Sequence, residues 1–234
     1  MPDTYLGRIK MKRIFRNISL IMCTITLTFV GCKNKLETVN NDSNNNETES
    51  ELISGSINGH DYIDLGLPSG TKWATCNVGA NIPEEYGYYY AQWDETITKS
   101  EYTEYNIIPY GYYNLDYIRG NPNYDVARKW GGSWRLPTRE EIIELMENCT
   151  WKWTTQNNVN GCKVTGPNGN SIFLPAAGGL SGELVTSAAG ICGCYYSSTP
   201  SRDTWIWGFD FSSCNRNITE CTIDGPRSVR PVSD

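Results

Sequence analysis

Residues 137–149, Pro137-Thr138-Arg139-Glu140-Glu141-Ile142-Ile143-Glu144-Leu145-Met146-Glu147-Asn148-Cys149, are the one stretch of this 234-residue chain that signals a long helix. Thr138 and Glu141 stand at the spacing of a capping box, in which each side chain satisfies the other residue's backbone N–H. Glu140 adds negative charge to the first turn, where the helix dipole favours it. Ile142, Leu145, Met146 and Cys149 recur at i, i+3, i+4 and i+7, which gives one apolar stripe. A helix is therefore expected over 138–149, with a single face to bury.

Most of what surrounds it reads as strand. The segments 61–65 (DYIDL), 71–76 (TKWATC), 86–93 (YGYYYAQW), 161–165 (GCKVT), 170–174 (NSIFL), 194–199 (CYYSST), 204–211 (TWIWGFDF) and 227–232 (RSVRPV) are rich in aromatic and β-branched residues. Gly166-Pro167-Asn168-Gly169 supplies turn chemistry, so 161–174 is expected to be a hairpin. A shorter helix is expected from Asn123 to Trp130, stopped by Gly131-Gly132. The stretches 98–122 and 175–193 (PAAGGLSGELVTSAAGICG) read as long loops, the usual seat of binding on a rigid scaffold. The class is α+β: a twisted, mainly antiparallel sheet with one main flanking helix and long loops. No internal repeat of 20 to 50 residues is visible.

The leading segment has a different character. Lys10, Lys12, Arg13 and Arg16 precede an apolar run, Ile18 to Val30, that ends at Gly31-Cys32. This is the anatomy of a cleaved export signal, and the run is shorter than the roughly 20 apolar residues of a spanning helix. Met11 is an alternative start to Met1, because MKRIFRN opens a more ordinary signal. Phe29-Val30-Gly31-Cys32 resembles the lipobox of bacterial lipoproteins, with Phe29 where leucine is usual. The resemblance implies cleavage before Cys32 and a diacylglycerol on its thiol; the alternative is an ordinary signal peptide with an incidental cysteine. Residues 1–31 are thus expected to be removed. Residues 32–54 (CKNKLETVNNDSNNNETESELIS) offer little to bury and read as a disordered polar tether. One domain is expected over 55–234.

The whole chain carries 20 Lys+Arg against 26 Asp+Glu, a net charge of −6. The segment through Gly31 holds five basic residues and one acidic, so the remainder stands at 15 against 25, or −10. That field repels phosphate backbones and argues against nucleic acid as a partner. It also argues against charge-driven docking on anionic lipid, leaving acyl chains as the means of membrane attachment.

Of nine cysteines, Cys23 lies in the signal and Cys32 at the anchor. Cys76, Cys149, Cys162, Cys192, Cys194, Cys214 and Cys221 remain. An exported chain keeps disulfides, and an odd number leaves at least one thiol over. Cys192-Gly193-Cys194 lacks the two-residue spacer of a zinc knuckle, and the single histidine, His60, is far away in sequence. No metal and no cofactor is expected.

Residues 61–80 (DYIDLGLPSGTKWATCNVGA), 83–87 (PEEYG), 130–138 (WGGSWRLPT), 161–170 (GCKVTGPNGN), 171–178 (SIFLPAAG), 196–200 (YSSTP) and 228–232 (SVRPV) together resemble the Fibrobacter succinogenes major paralogous domain. That family is common in surface and secreted proteins of Bacteroides-type bacteria. The resemblance covers about 58 to 234 and implies a C-type-lectin-like fold, whose two ends lie close together. It implies no settled activity. Because the family often carries cysteine at the positions of Cys76 and Cys149, it also implies a bond between them, worth roughly 4 kcal/mol for a loop of about 70 residues in the entropy model. Cys192, Cys194, Cys214 and Cys221 are then candidates for two more bonds, with Cys162 the odd thiol, expected to be buried.

The chemistry legible in the residues is mostly negative. Glu-Pro-Asn, Gln-Pro-Asp and Trp-Asn-Asp, the triplets of calcium-dependent lectins, are absent, and Asn121-Pro122-Asn123 lacks their acidic member. Nucleophilic triads fail for want of histidine, His60 being expected as a solvated residue beside the tether. Glu84-Glu85, Asp94-Glu95 and Glu140-Glu141 read as turn and helix-start residues, so glycoside hydrolysis is unsupported. WRLPT also resembles a segment of formylglycine-generating enzymes, which would cast Cys192 and Cys194 as an oxidising pair, although the sequence around them does not match. Most tryptophans are expected in the core. Tyr102, Tyr105, Tyr110, Tyr112, Tyr113 and Tyr117 lie in an irregular stretch with few aliphatics. They serve either as a ligand surface, Tyr110, Tyr112, Tyr113 and Tyr117 above all, or as a cover over the sheet.

The expectation is a non-catalytic module, lipid-anchored to the outer membrane on its periplasmic or its surface face, that engages a glycan or an envelope or host protein through its long loops. The alternatives are a structural or assembly component of the envelope and, further off, a formylglycine-generating-enzyme-like oxidase.

Overall fold

The capping box folds as its spacing demands. The computed structural model describes residues 53–90, 118–122, 125–181, 184–185, 188–202, 205–222, 225 and 227–234, all within the second of two units, 1–47 and 48–234. In it, α1 spans Arg139–Asn148, and Thr138 Oγ1 accepts the Glu141 N–H at 3.2 Å while Glu141 Oε2 accepts the Thr138 N–H at 2.7 Å. Such a cap stabilises a helix by about 1 kcal/mol. Ile142, Leu145 and Cys149 are buried with Met146 packed beside them, so the predicted stripe is the face that meets the core.

Among the described residues, twelve strands accompany the helix: β1 Gly55–Ile57, β2 His60–Asp64, β3 Lys72–Ala74, β4 Thr150–Gln156, β5 Val159–Thr165, β6 Ser171–Pro175, β7 Leu180–Ser181, β8 Leu184–Val185, β9 Cys192–Arg202, β10 Trp205–Ser212, β11 Arg216–Thr222 and β12 Val232–Ser233. They form a four-stranded sheet ordered β1-β2-β3-β12, three-stranded sheets ordered β4-β5-β6 and β11-β10-β9, and a β7-β8 ribbon. Every strand pair is antiparallel. The architecture is therefore mostly antiparallel sheet with one α-helix, an α+β class.

The hairpin expected over 161–174 is the β5-β6 pair, and its turn closes with the Gly169 N–H donating to Gly166 O at 3.0 Å. Gly166 admits no side chain, since a Cβ there would stand 2.0 Å from Leu65 O. Five strands, β1, β4, β7, β8 and β11, lie outside the segments that read as strand. β4 follows the helix directly and turns into β5 through Asn157 and Asn158, both at positive φ (46° and 64°), the two-residue hairpin geometry that asparagine tolerates. β11 returns along β10 with seven paired residues.

Other expectations are corrected. In the described part of 86–93, only Tyr90 pairs, bridging to Arg227; Gly87 at φ 70° turns the chain out of strand geometry. The stretch 227–232 is bridges at Arg227 and Ser228 followed by the short β12, because Pro231 has no N–H to extend a ladder. The short helix is a 3-10 turn, Val126–Trp130, starting from Asp125 as N-cap; Asn123 lies outside the described residues. The stretch 175–193, expected as a long loop, contains the β7-β8 ribbon and runs into β9 at Cys192.

Two large apolar clusters and a small third one, Tyr89 and Ala177 with Tyr86 beside them, fill the interior. The first gathers Ile63, Leu65, Trp73, the α1 stripe, Val164, Ile172, Leu174, Tyr195, Phe209 and Phe211; the second gathers Val78, Tyr90, Ile118, Val126, Leu136, Tyr196, Ile206 and Val229. Arg230, fully buried, donates to Asn77 Oδ1 and to the carbonyls of Ala74, Thr75 and Phe173. The guanidinium's fork meets oxygens on several sides and ties β3 and β6 together with no carboxylate among these acceptors. Arg135, by contrast, pairs with Glu141 at 2.6 Å and with Asp234. Burial alone would raise the Glu141 carboxyl, but Arg135 and the helix cap hold it below the ordinary carboxylate range.

Candidate functional site

A concavity opens where the two three-stranded sheets meet. It has a volume of about 380 Å³, within the range of small-molecule sites. Trp151 and Trp153 on β4, Cys162 on β5 and Phe211 on β10 form its floor. Ser212, the turn residues Ser213, Cys214 and Asn215, and Arg216 at the start of β11 form its rim.

Strand alternation explains the floor. Trp151 and Trp153 are two apart on β4 and share a face, while Lys152 between them is exposed. Trp151 is fixed by its indole N–H, which donates to Leu145 O at 3.3 Å, and by Phe211, whose ring is tilted 58° at 5.8 Å. Both tryptophans pack on the first cluster and remain half-buried, so part of each ring faces the groove. The rim is a tight turn: the Ser212 N–H donates to Asn215 O at 2.7 Å and the Cys214 N–H to Ser212 Oγ at 3.3 Å. The Arg216 guanidinium stands 5.9 Å from the Trp151 ring. Burial pushes the Cys162 thiol up to about 11, with Arg216 opposing, so the base of the groove stays uncharged at neutral pH. No carboxylate and no imidazole lines it.

A second tryptophan pair stands on β10. Trp205 lies beneath the Arg202 guanidinium at 4.5 Å and Trp207 beneath that of Arg139 at 4.6 Å. Each cation lies within cation–π reach of its ring and covers it.

The residues singled out from the sequence fall elsewhere. Cys32, Tyr102, Tyr105, Tyr110, Tyr112, Tyr113 and Tyr117 lie outside the described residues. The described cysteines are thiols, so the expected Cys76–Cys149 bond is not made, nor are bonds among Cys192, Cys194, Cys214 and Cys221. Cys149 belongs to the first cluster, whereas Cys76 leads into Asn77-Val78 at the second. Cys221 is buried and directs its thiol to Ile206 O, and Cys214 is exposed on the groove's rim. Cys162 is buried, 4% exposed. His60 is not a solvated residue: its ring stacks on Trp130 at 3.8 Å and 3°, and burial lowers its pKa against the opposing pull of Asp61. Glu84 is buried at the β4-β5 turn, where it accepts from Gln156 Nε2 and Asn157 Nδ2, both at 2.7 Å.

Trp151 and Trp153, expected in the core by residue type, are half-buried at its margin. The pattern Trp-Lys-Trp immediately after a helix end was the available signal for a half-buried strand with one aromatic face. Among the described residues, no group of three or more His, Cys, Asp or Glu side chains is placed to hold a metal ion. None of their helices is long and apolar enough to cross a membrane. No protein-family model, no curated protein and no solved structure matches the chain.

Proposed function

We propose that this chain is a non-catalytic binding module, lipid-anchored in a bacterial cell envelope, that takes a glycan in the groove between its two three-stranded sheets. The groove carries the reading. Flat indole and phenyl faces at Trp151, Trp153 and Phe211 suit the apolar C–H faces of a sugar ring. Ser212, Ser213, Asn215 and Arg216 supply donors and acceptors for its hydroxyls. The volume suits one or two sugar rings, and no charged acid-base pair stands in it to turn a ligand over.

The anchor and the polar tether of residues 32–54 would hold the module off a membrane, and the acidic balance disfavours nucleic acid. Likeness of residues 58–234 to the Fibrobacter succinogenes major paralogous domain supports a C-type-lectin-like arrangement. Fold analogy does not name a ligand. Since the calcium triplets are missing, sugar capture here runs through stacking and neutral hydrogen bonds.

A glycan array probed with the purified full chain tests this. Binding to a defined glycan class that disappears in Trp153→Ala and persists in Trp207→Ala is expected. Silence on the array, with envelope proteins co-purifying, would replace it with the assembly-component reading. Replacing Cys32 by Ser is expected to move the protein from the membrane fraction to the soluble one, and unchanged fractionation would remove the anchor.

A further inference from the structure

Cys192 and Cys194 stand two residues apart on β9, the strand paired with β10, with their sulfurs 3.9 Å from each other. Each is only partly buried. The backbone holding them is clamped. The Cys192 N–H donates to Ala188 O at 3.0 Å, while Cys192 O accepts from Gly178 N–H at 2.7 Å and Cys194 O from Ser228 N–H at 3.1 Å. Gly193 between them lies flat on Phe211, where an added Cβ would meet the ring at 2.3 Å. Asp210, the β10 partner of Cys194, binds Arg227 at 2.5 Å, so a cation sits close by and is itself held in place.

We propose that Cys192 and Cys194 are a redox-active dithiol that exchanges with organic disulfides, Cys192 attacking and Cys194 resolving. Cys192 thiolate attacks one sulfur of R–S–S–R, breaking its S–S bond, forming the mixed disulfide Cys192–S–S–R and releasing R–S⁻, which takes up a proton. Cys194 then gives up its proton and attacks the Cys192 sulfur, releasing the second R–S⁻. The dithiol loses two electrons and two protons, and the disulfide becomes two thiols.

The division of labour follows from the contact. The hydrogen bond from the Cys194 thiol stabilises the Cys192 thiolate and lowers its pKa, against burial and the nearby Asp210, with Arg227 assisting. The same bond, together with burial, pushes Cys194 upward and keeps it the proton holder. The strand explains why the ring would reopen. Two residues of strand advance about 6.6–6.8 Å, the upper end of the Cα span that disulfides bridge. The clamps on β9 prevent it from shortening. A disulfide closed there belongs to the easily reduced kind, the kind that serves exchange and not stapling.

The test uses the full chain, reduced, desalted, and mixed with glutathione disulfide at pH 7, then acid-quenched and mapped by peptide mass spectrometry. A Cys192–Cys194 bond is expected, reopened by reduced glutathione. Cys194→Ser is expected to accumulate one glutathione on Cys192. Cys192→Ser is expected to slow adduct formation at this pair by about tenfold or more. A Cys192–Cys194 bond that reduced glutathione leaves closed, a native bond from either residue to Cys214 or Cys221, or a Cys194→Ser protein modified elsewhere and not at Cys192 would each overturn the proposal.

Discussion

Two pairs of tryptophans, each on one strand and each half-buried, have opposite surroundings. Trp205 and Trp207 on β10 flank Ile206 of the second cluster, and arginines cover both rings. Trp151 and Trp153 on β4 pack on the first cluster and floor an open groove. The exposure of the rings is similar, so exposure alone does not mark a site. What separates the pairs is the neighbour. A guanidinium over an aromatic face satisfies it, whereas the seam between two sheets leaves it available.

The comparison breaks most completely if the scaffold behind the open pair is removed. Arg230→Met strands the carbonyls of Ala74, Thr75 and Phe173 and the Asn77 amide oxygen in the interior. At about 1–3 kcal/mol for each unmet polar group, a loss of about 4 kcal/mol or more is expected in urea unfolding. A loss below 1 kcal/mol would show that Arg230 is not the pin between β3 and β6.

At the second cluster, beside Ala127 and Leu136, stands Asp125. Its carboxylate accepts the N–H groups of Gly120, Ala127 and Leu136. Burial raises its pKa to about 6 even so. A folded-state value above the unfolded one favours the folded protein at low pH. The contribution is full below about pH 4 and is lost as pH rises through about 6. Asp125→Asn is expected to cost about 2 kcal/mol, because its amide nitrogen would face N–H donors. It should also erase this part of the slope between pH 4 and 6. Unfolding of both proteins across that range reads the difference, and an unchanged slope would refute it.

The comparison is sharpened by the tryptophans themselves. Trp153→Ala is expected to weaken glycan binding at least tenfold, about 1.4 kcal/mol, while Trp207→Ala leaves affinity within about twofold. Equal losses from both would mean that the groove is not the site. The smallest effect belongs to Arg139→Ala. It uncovers Trp207 and is expected to cost about 0.5–1 kcal/mol of stability with a change in tryptophan fluorescence. No change in either would mean that the stacked pair contributes nothing.

How much of this was legible varies with the range of the interaction. The capping box at Thr138 and Glu141, the apolar stripe after it and the Gly166 turn are local, and the structure has them where the spacing put them. β4 carries strand-favouring residues at Thr150, Trp151, Trp153, Thr154 and Thr155, but it abuts the helix end and its Asn157-Asn158 turn lacks glycine, so neither boundary is marked. The groove was hidden for a deeper reason. It needs Trp151 and Trp153 to meet Phe211 and Arg216 some 60 residues away, a meeting set by sheet packing that no short window contains. The thiol pairing failed similarly: nothing local tells Cys149 that its side chain ends in the first cluster.

One consequence of the four-stranded sheet concerns tension. β1, three residues long, lies at its edge, held by β2 and by the Trp134 indole N–H donating to Ile57 O at 2.8 Å, and β12 at the chain's end closes the opposite edge. A pull arriving through residue 53 is delivered to β1 first and opens that ladder one rung at a time. The strands that build the groove are separate from it in sequence and in sheet, so the β1 ladder can give way while the groove keeps its shape.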